Sequence, residues 1–132
     1  MLLNPVFINM LMATSNLMMV KDAVAKGLYI AVKKAEGKCV FVFPTRLLTL
    51  AGYTYVHKPR AKVEARNILR ALCNCGLLEY MGTRSKRQIY CIKEGTLLWD
   101  AIKKSDGPED VLRLIEEIMQ KNQSPLEASP QR

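Results

Sequence analysis

The sequence predicts an α+β fold, mostly helical, with a small antiparallel β-sheet and extra helices at both ends. Three observations carry this. Apolar residues recur at spacings of three and four over residues 9–35, 59–75 and 109–122, as one face of a helix requires. Two short alternating runs, LLEYM at 77–81 and QIYCI at 88–92, flank a polar tip like the arms of a hairpin. A third β-rich run, KCVFVF at 38–43, stops at Pro44.

In the first helix Leu17, Val20, Val24, Leu28 and Ala31 form the stripe, Gly27 weakens the middle, and Gly37 stands where a C-terminal cap belongs. The stretch Ala13-Thr14-Ser15-Asn16 suggests a break into two helices. After the first strand, Thr45 is read as an N-cap and RLLTLAG as a two-turn helix stopped by Gly52. YTYVHK is a loop. Pro59 opens the clearest helix, which runs to about Cys75 and is closed by Gly76. Beyond Lys93, EGTLLWDAIKKS reads as a helix. Asp106-Gly107-Pro108 then restarts the chain, with Glu109 and Asp110 at the positive end of the next helix dipole. Val111, Leu114, Ile115, Ile118 and Met119 form that last helix's apolar stripe, which either caps its own domain or pairs with a second copy. The 132 residues make one domain over 1–122, with a core at 15–93, further helices over 94–122 and a flexible tail at 123–132.

Charge is unevenly placed. The net charge is +8, but residues 1–93 hold 15 Lys/Arg against 4 Asp/Glu, while 94–122 hold 4 against 7. A polyanion would therefore meet the first two thirds of the chain. Residues 1–20 carry no charge, yet Asn4, Pro5, Asn9 and the 14–16 polar run interrupt them and a basic leader is missing. A buried, Met-rich helix in an intracellular protein away from membranes is the expectation.

No Ser-His-Asp set, paired carboxylates, glycine-rich phosphate loop or HExxH helix occurs, so neither catalysis nor a cofactor is expected. For Cys39, Cys73, Cys75 and Cys91 three readings compete: reduced apolar filler, a Cys39–Cys91 disulfide between neighbouring strands, or a zinc site using all four. The last lacks the usual C-x₂₋₄-C spacing.

The order of elements, and above all VEARNILRALCNCGLLEYMGTRSKRQIYCI at 63–92, resembles the winged helix-turn-helix family over residues 15–93. It has the flavour of small regulators from archaea and their viruses. The resemblance implies a protein that binds double-stranded DNA, with helix 59–75 in the major groove and the 82–88 wing on the backbone or in the minor groove. It implies a transcription regulator, and dimerisation through the terminal helices would set two wings on one duplex.

Residue chemistry fits that expectation. Ala61, Ala65, Ile68, Leu69 and Leu72 anchor the long helix, and the remaining face is basic, interrupted by a single acid, Glu64. Arg60, Val63 and Asn67 are the candidates for base contacts, since Arg pairs with guanine and Asn with adenine. Lys58, Lys62, Arg66 and Arg70 are candidates for phosphates. Arg84, Lys86 and Arg87 add three cations on the hairpin with no acid among them. Arg46, at the start of the short helix, and His57, in the loop, are further phosphate candidates. Six to eight phosphate contacts would give a salt slope of roughly −5 to −7. Other readings stay open: a solvated basic face, non-specific nucleic-acid binding for packaging, replication or RNA, and an adaptor for an acidic protein.

Overall fold

The structure, a computed structural model, describes residues 5–55 and 58–122, with side chains from Leu17 onward. The elements in order are α1 (Pro5–Lys33), β1 (Cys39–Val42), α2 (Pro44–Leu50), α3 (Pro59–Asn74), β2 (Glu79–Arg84), β3 (Arg87–Lys93), α4 (Leu97–Lys104) and α5 (Glu109–Asn122). Five helices and one three-stranded antiparallel sheet among the described residues make the fold α+β. The expected tail at 123–132 lies outside the described residues.

α1 is one helix, not two. Thr14, Ser15 and Asn16 are weak helix formers, but none removes a backbone donor as proline would, so the ladder runs through them. The helix also ends earlier than Gly37, which is not left-handed here. Instead the ends of α1 and α4 meet: Lys33 Nζ donates to the Lys103 carbonyl at 3.1 Å, and Lys103 Nζ to the Ala35 carbonyl at 3.4 Å. Gly27 does more than weaken the helix. A Cβ there would collide with the Leu47 backbone, so α1 and α2 touch main chain to main chain at this point.

α2 starts two residues earlier than the Thr45 cap implied. Phe43 is the N-cap and Pro44 takes the first helical position, where its fixed φ fits and its missing N–H is not needed. α2 and α3 stop by the same device. Gly52 and Gly76 turn left-handed, at φ 77° and 81°. Tyr53 N then donates to the Leu48 carbonyl at 2.9 Å, and Leu77 N to the Leu72 carbonyl at 3.0 Å. Leu48, Leu72 and Leu77 are all buried, so each cap also seals the core.

The sheet order is β1-β3-β2. Val42, Tyr90 and Tyr80 align across the three strands on one face, while Phe41, Cys91 and Glu79 align on the other. The hairpin is longer than the sequence indicated. β2 and β3 stay paired out to Arg84 opposite Arg87, and Gly82 is absorbed as a bulge at φ 102° that leaves Met81 as the extra residue. The connecting loop is only Ser85-Lys86, with φ 52° and 66°. Two left-handed central residues are the signature of a type I′ turn, whose twist matches the strands.

α1 packs against α2, α3, α4 and α5. Leu28, Leu47, Leu48, Ile68, Leu69, Leu72, Ile92, Leu98, Ile102 and Ile115 are the large side chains at its centre. Val111, Ile115 and Ile118 of α5 are buried against α1 and α3, and Leu114 and Met119 of the same stripe are partly buried beside them. Ser105, buried where α4 ends, donates to Asp110 at 2.9 Å and ties α5 to its place. None of the described helices is long and apolar enough to cross a membrane.

Candidate nucleic-acid interface

Fixed by its buried face, α3 turns an arc of polar residues and the exposed Val63 to solvent. At ~100° per residue Val63, Asn67 and Arg70 occupy the middle of that arc, Lys62 and Arg66 one edge, and Arg60 and Glu64 the other. All but Glu64, which is half-buried, are exposed. The Lys62–Arg66 edge faces the β2–β3 hairpin. Between them lies an open groove of about 580 Å³. Lys62 and Arg66 form one wall, Lys86 and Arg87 the other, and Pro44, Thr45 and Tyr55 contribute from α2 and the following loop. Thr83, Ser85 and Gln88 add hydroxyl and amide groups. No acid is among the described lining.

Four expected cations thus converge from two elements that a turn and a strand separate in sequence. The ion pairs found among the described residues do not involve them: Glu79, the acid nearest the hairpin tip in sequence, pairs with Lys93, and Asp110 pairs with Arg113. The Glu79 contact holds the Lys93 ammonium above its ordinary range.

At the junction of α3 and the sheet sits Tyr90. Burial raises its phenol most, Cys73 and Tyr80 add to the rise, and Arg70 and Arg66 partly oppose it. Its hydroxyl donates to Gln88 Oε1 at 3.4 Å, and its ring tilts against Tyr80 at 5.5 Å between centroids. The aromatic pair therefore ties the two strands of the hairpin together, and the basic end of the hairpin stands across the groove from α3.

Aromatic rings also back several cations, which sequence reasoning missed. Arg87 lies over Phe43 with its guanidinium carbon 5.0 Å from the ring centre. Lys62 Nζ is 5.5 Å over Tyr55, and Lys58 Nζ is 5.0 Å over Tyr53. The one available signal was Tyr-Thr-Tyr, whose alternate rings precede two lysines four residues apart.

Other expected site residues are not brought to the groove. Arg60, Val63 and Asn67 line a separate depression of about 390 Å³ with Leu17, Glu64 and Met119, on the α5 side of α3. Arg84 is exposed opposite Arg87 in the ladder but does not line the groove. Arg46 points elsewhere, into a depression bounded by the end of α1 and by β1. With seven residues, α2 is also a short helix on which to build an anion site. Arg70 remains exposed beside Tyr90, and His57 lies outside the described residues.

The cysteine readings resolve in part. All four are free thiols. Cys39 stands opposite Lys93 and Cys91 opposite Phe41, so the two are diagonal rather than direct neighbours. Diagonal partners sit about 7–8 Å apart at the backbone, beyond the roughly 7 Å that a disulfide spans, and the disulfide among the three readings is not formed. Burial first, then the neighbouring Cys39 thiol, pushes the Cys91 thiol up. Among the described residues no group of three or more Cys, His, Asp or Glu is placed to hold a metal ion, so the four-cysteine zinc arrangement is not assembled.

Comparison with protein-family models, with curated proteins and with solved structures gives no match.

Proposed function

We propose that the protein binds double-stranded DNA as a winged helix-turn-helix regulator. In this reading α3 enters the major groove and the β2–β3 hairpin is the wing, gripping backbone phosphates between itself and α3. The observation that carries the reading is the groove in which Lys62 and Arg66 face Lys86 and Arg87 with no acid in the described lining. Each such cation can neutralise one phosphate and release its counterion, so binding should weaken steeply with salt.

A second observation supports a role for the wing tip. Ser85 and Lys86 both hold left-handed backbone, which costs a non-glycine residue of order 1 kcal/mol. Asn-Gly would remove most of that strain. Keeping lysine there retains a cation where the turn itself favours glycine.

Sequence choice rests on Arg60, Val63 and Asn67 of the exposed face of α3. A specific observation favours a second reading, non-specific nucleic-acid binding: Arg60, Val63 and Asn67 line a depression of their own that includes Glu64, away from the cationic groove. Selection from a random duplex library at physiological salt separates the two. A regulator enriches a defined site, and Asn67→Ala flattens the preference while Lys86→Ala weakens all duplexes alike. A library that emerges unenriched, with Asn67→Ala binding as the parent does, leaves only the non-specific reading. Failure to retain any duplex refutes both.

A further inference from the structure

Lysine and arginine on a surface normally sample many rotamers, and a ligand that binds them must order them. Two of the four groove cations depart from this. Arg87 is stacked on Phe43 and Lys62 lies over Tyr55, at 5.0 and 5.5 Å from the ring centres. Both rings are half-buried and therefore held by the fold. Phe43 is fixed as the N-cap of α2 with extended backbone, immediately before Pro44. Tyr55 is packed against the core, three residues beyond the left-handed turn at Gly52. Each platform thus comes from the α2 region, while each cation comes from one wall of the groove.

We infer that Phe43 and Tyr55 are positioning residues for anion binding: they hold Arg87 and Lys62 in the orientation that faces the phosphodiester backbone. This rests on the DNA-binding reading above. Cation–π attraction leaves the charge intact and uses only the ring side of the guanidinium or ammonium group, so the remaining N–H donors stay free for phosphate oxygens. Losing the ring should cost affinity through disorder, without changing how many counterions are released. For one long side chain the expected loss is about fivefold.

The test measures duplex affinity by fluorescence anisotropy at several salt concentrations for the parent, Arg87→Ala, Phe43→Leu, Phe43→Trp, Lys62→Ala and Tyr55→Leu, with thermal melts as a folding control. Arg87→Ala and Lys62→Ala should each weaken binding and make the slope of log affinity against log salt shallower by about 0.9. Phe43→Leu and Tyr55→Leu should weaken binding about fivefold at unchanged slope. Phe43→Trp, which keeps a π face, should bind like the parent even if Phe43→Leu proves unstable. If both ring-to-leucine variants, or Phe43→Leu alone when folded, bind as the parent does while Arg87→Ala does not, the positioning role is overturned. So is it if Phe43→Trp binds as weakly as Phe43→Leu. A parent with no salt-dependent duplex binding overturns the DNA reading itself.

Discussion

Replacing Ser85-Lys86 by Asn-Gly should make the protein more stable and a weaker binder. Both residues hold positive φ, at 52° and 66°, in a two-residue turn whose flanking Arg84 and Arg87 are the last pair of the ladder. A β-carbon in left-handed backbone costs about 1–2 kcal/mol; glycine escapes this and asparagine largely does. Part of the gain is offset by the extra freedom glycine gives the unfolded chain, so about 1–2 kcal/mol should remain for the pair. In a chain of this size that raises Tm by roughly 3–8 °C. The same change deletes one groove cation, and the salt slope of duplex binding should become shallower by about 0.9. Differential scanning fluorimetry and anisotropy titrations read the two effects separately. An unchanged or lowered Tm would refute the claim that the turn is strained, and an unchanged slope would refute the claim that Lys86 meets a phosphate.

Gly27→Ala should destabilise the fold by about 2–4 kcal/mol, because the new methyl meets Leu47 backbone that cannot swing away; Gly37→Ala, with open space around it, should be neutral within about 0.5 kcal/mol in urea unfolding. Stability should fall on the alkaline side. Burial raises the Tyr90 phenol and, with the Cys39 contact, the Cys91 thiol, so folding favours their protonated forms. That contribution is complete below the unfolded-state values and is lost as pH rises through the higher folded values, and Lys93 acts with the same sign. Tyr90→Phe should therefore reduce the drop in urea midpoint between about pH 8 and pH 11; a drop equal to the parent's would contradict the assignment. With a thiol reagent on folded protein, exposed Cys75 and Cys39 should react first and buried Cys91 only on unfolding. Peptide mapping that found Cys91 labelled early would contradict its burial.

The helices of the middle of the chain were legible because their signals are local. Pro59 and Gly76 bracket α3, and Gly52 ends α2, each through backbone geometry that few other residues allow. Boundaries failed where the deciding contact was distant. α1 stops at the end of α4 rather than at Gly37, and Gly27 reads as a weak helix residue until Leu47 is seen against it. The alternating runs at 77–81 and 88–92 leave residues 82–87 as a polar tip, but cross-strand pairing carries the ladder out to Arg84 and Arg87 and takes up the irregularity as a bulge at Met81-Gly82. The cations were legible by type, but their grouping was not. Periodicity places Lys62 and Arg66 on one edge of α3 without saying that the hairpin stands beside that edge rather than beside Arg60. The aromatic backing by Phe43 and Tyr55 was hidden for the same reason, since each ring meets a cation only after the chain has folded back. The apolar stripe of α5 announces a buried face, but that Ile115 and Ile118 meet α1 and α3 depends on contacts remote in sequence.

The most direct measurement is the salt dependence of duplex affinity for the parent beside the quadruple variant Lys62→Ala, Arg66→Ala, Lys86→Ala, Arg87→Ala. All four side chains are exposed, so the variant should fold as the parent does. If the groove grips the phosphate backbone, the slope should become shallower by about 3.6, since each phosphate contact contributes about 0.9. A folded variant that binds the same duplexes with the parent's slope would contradict the account.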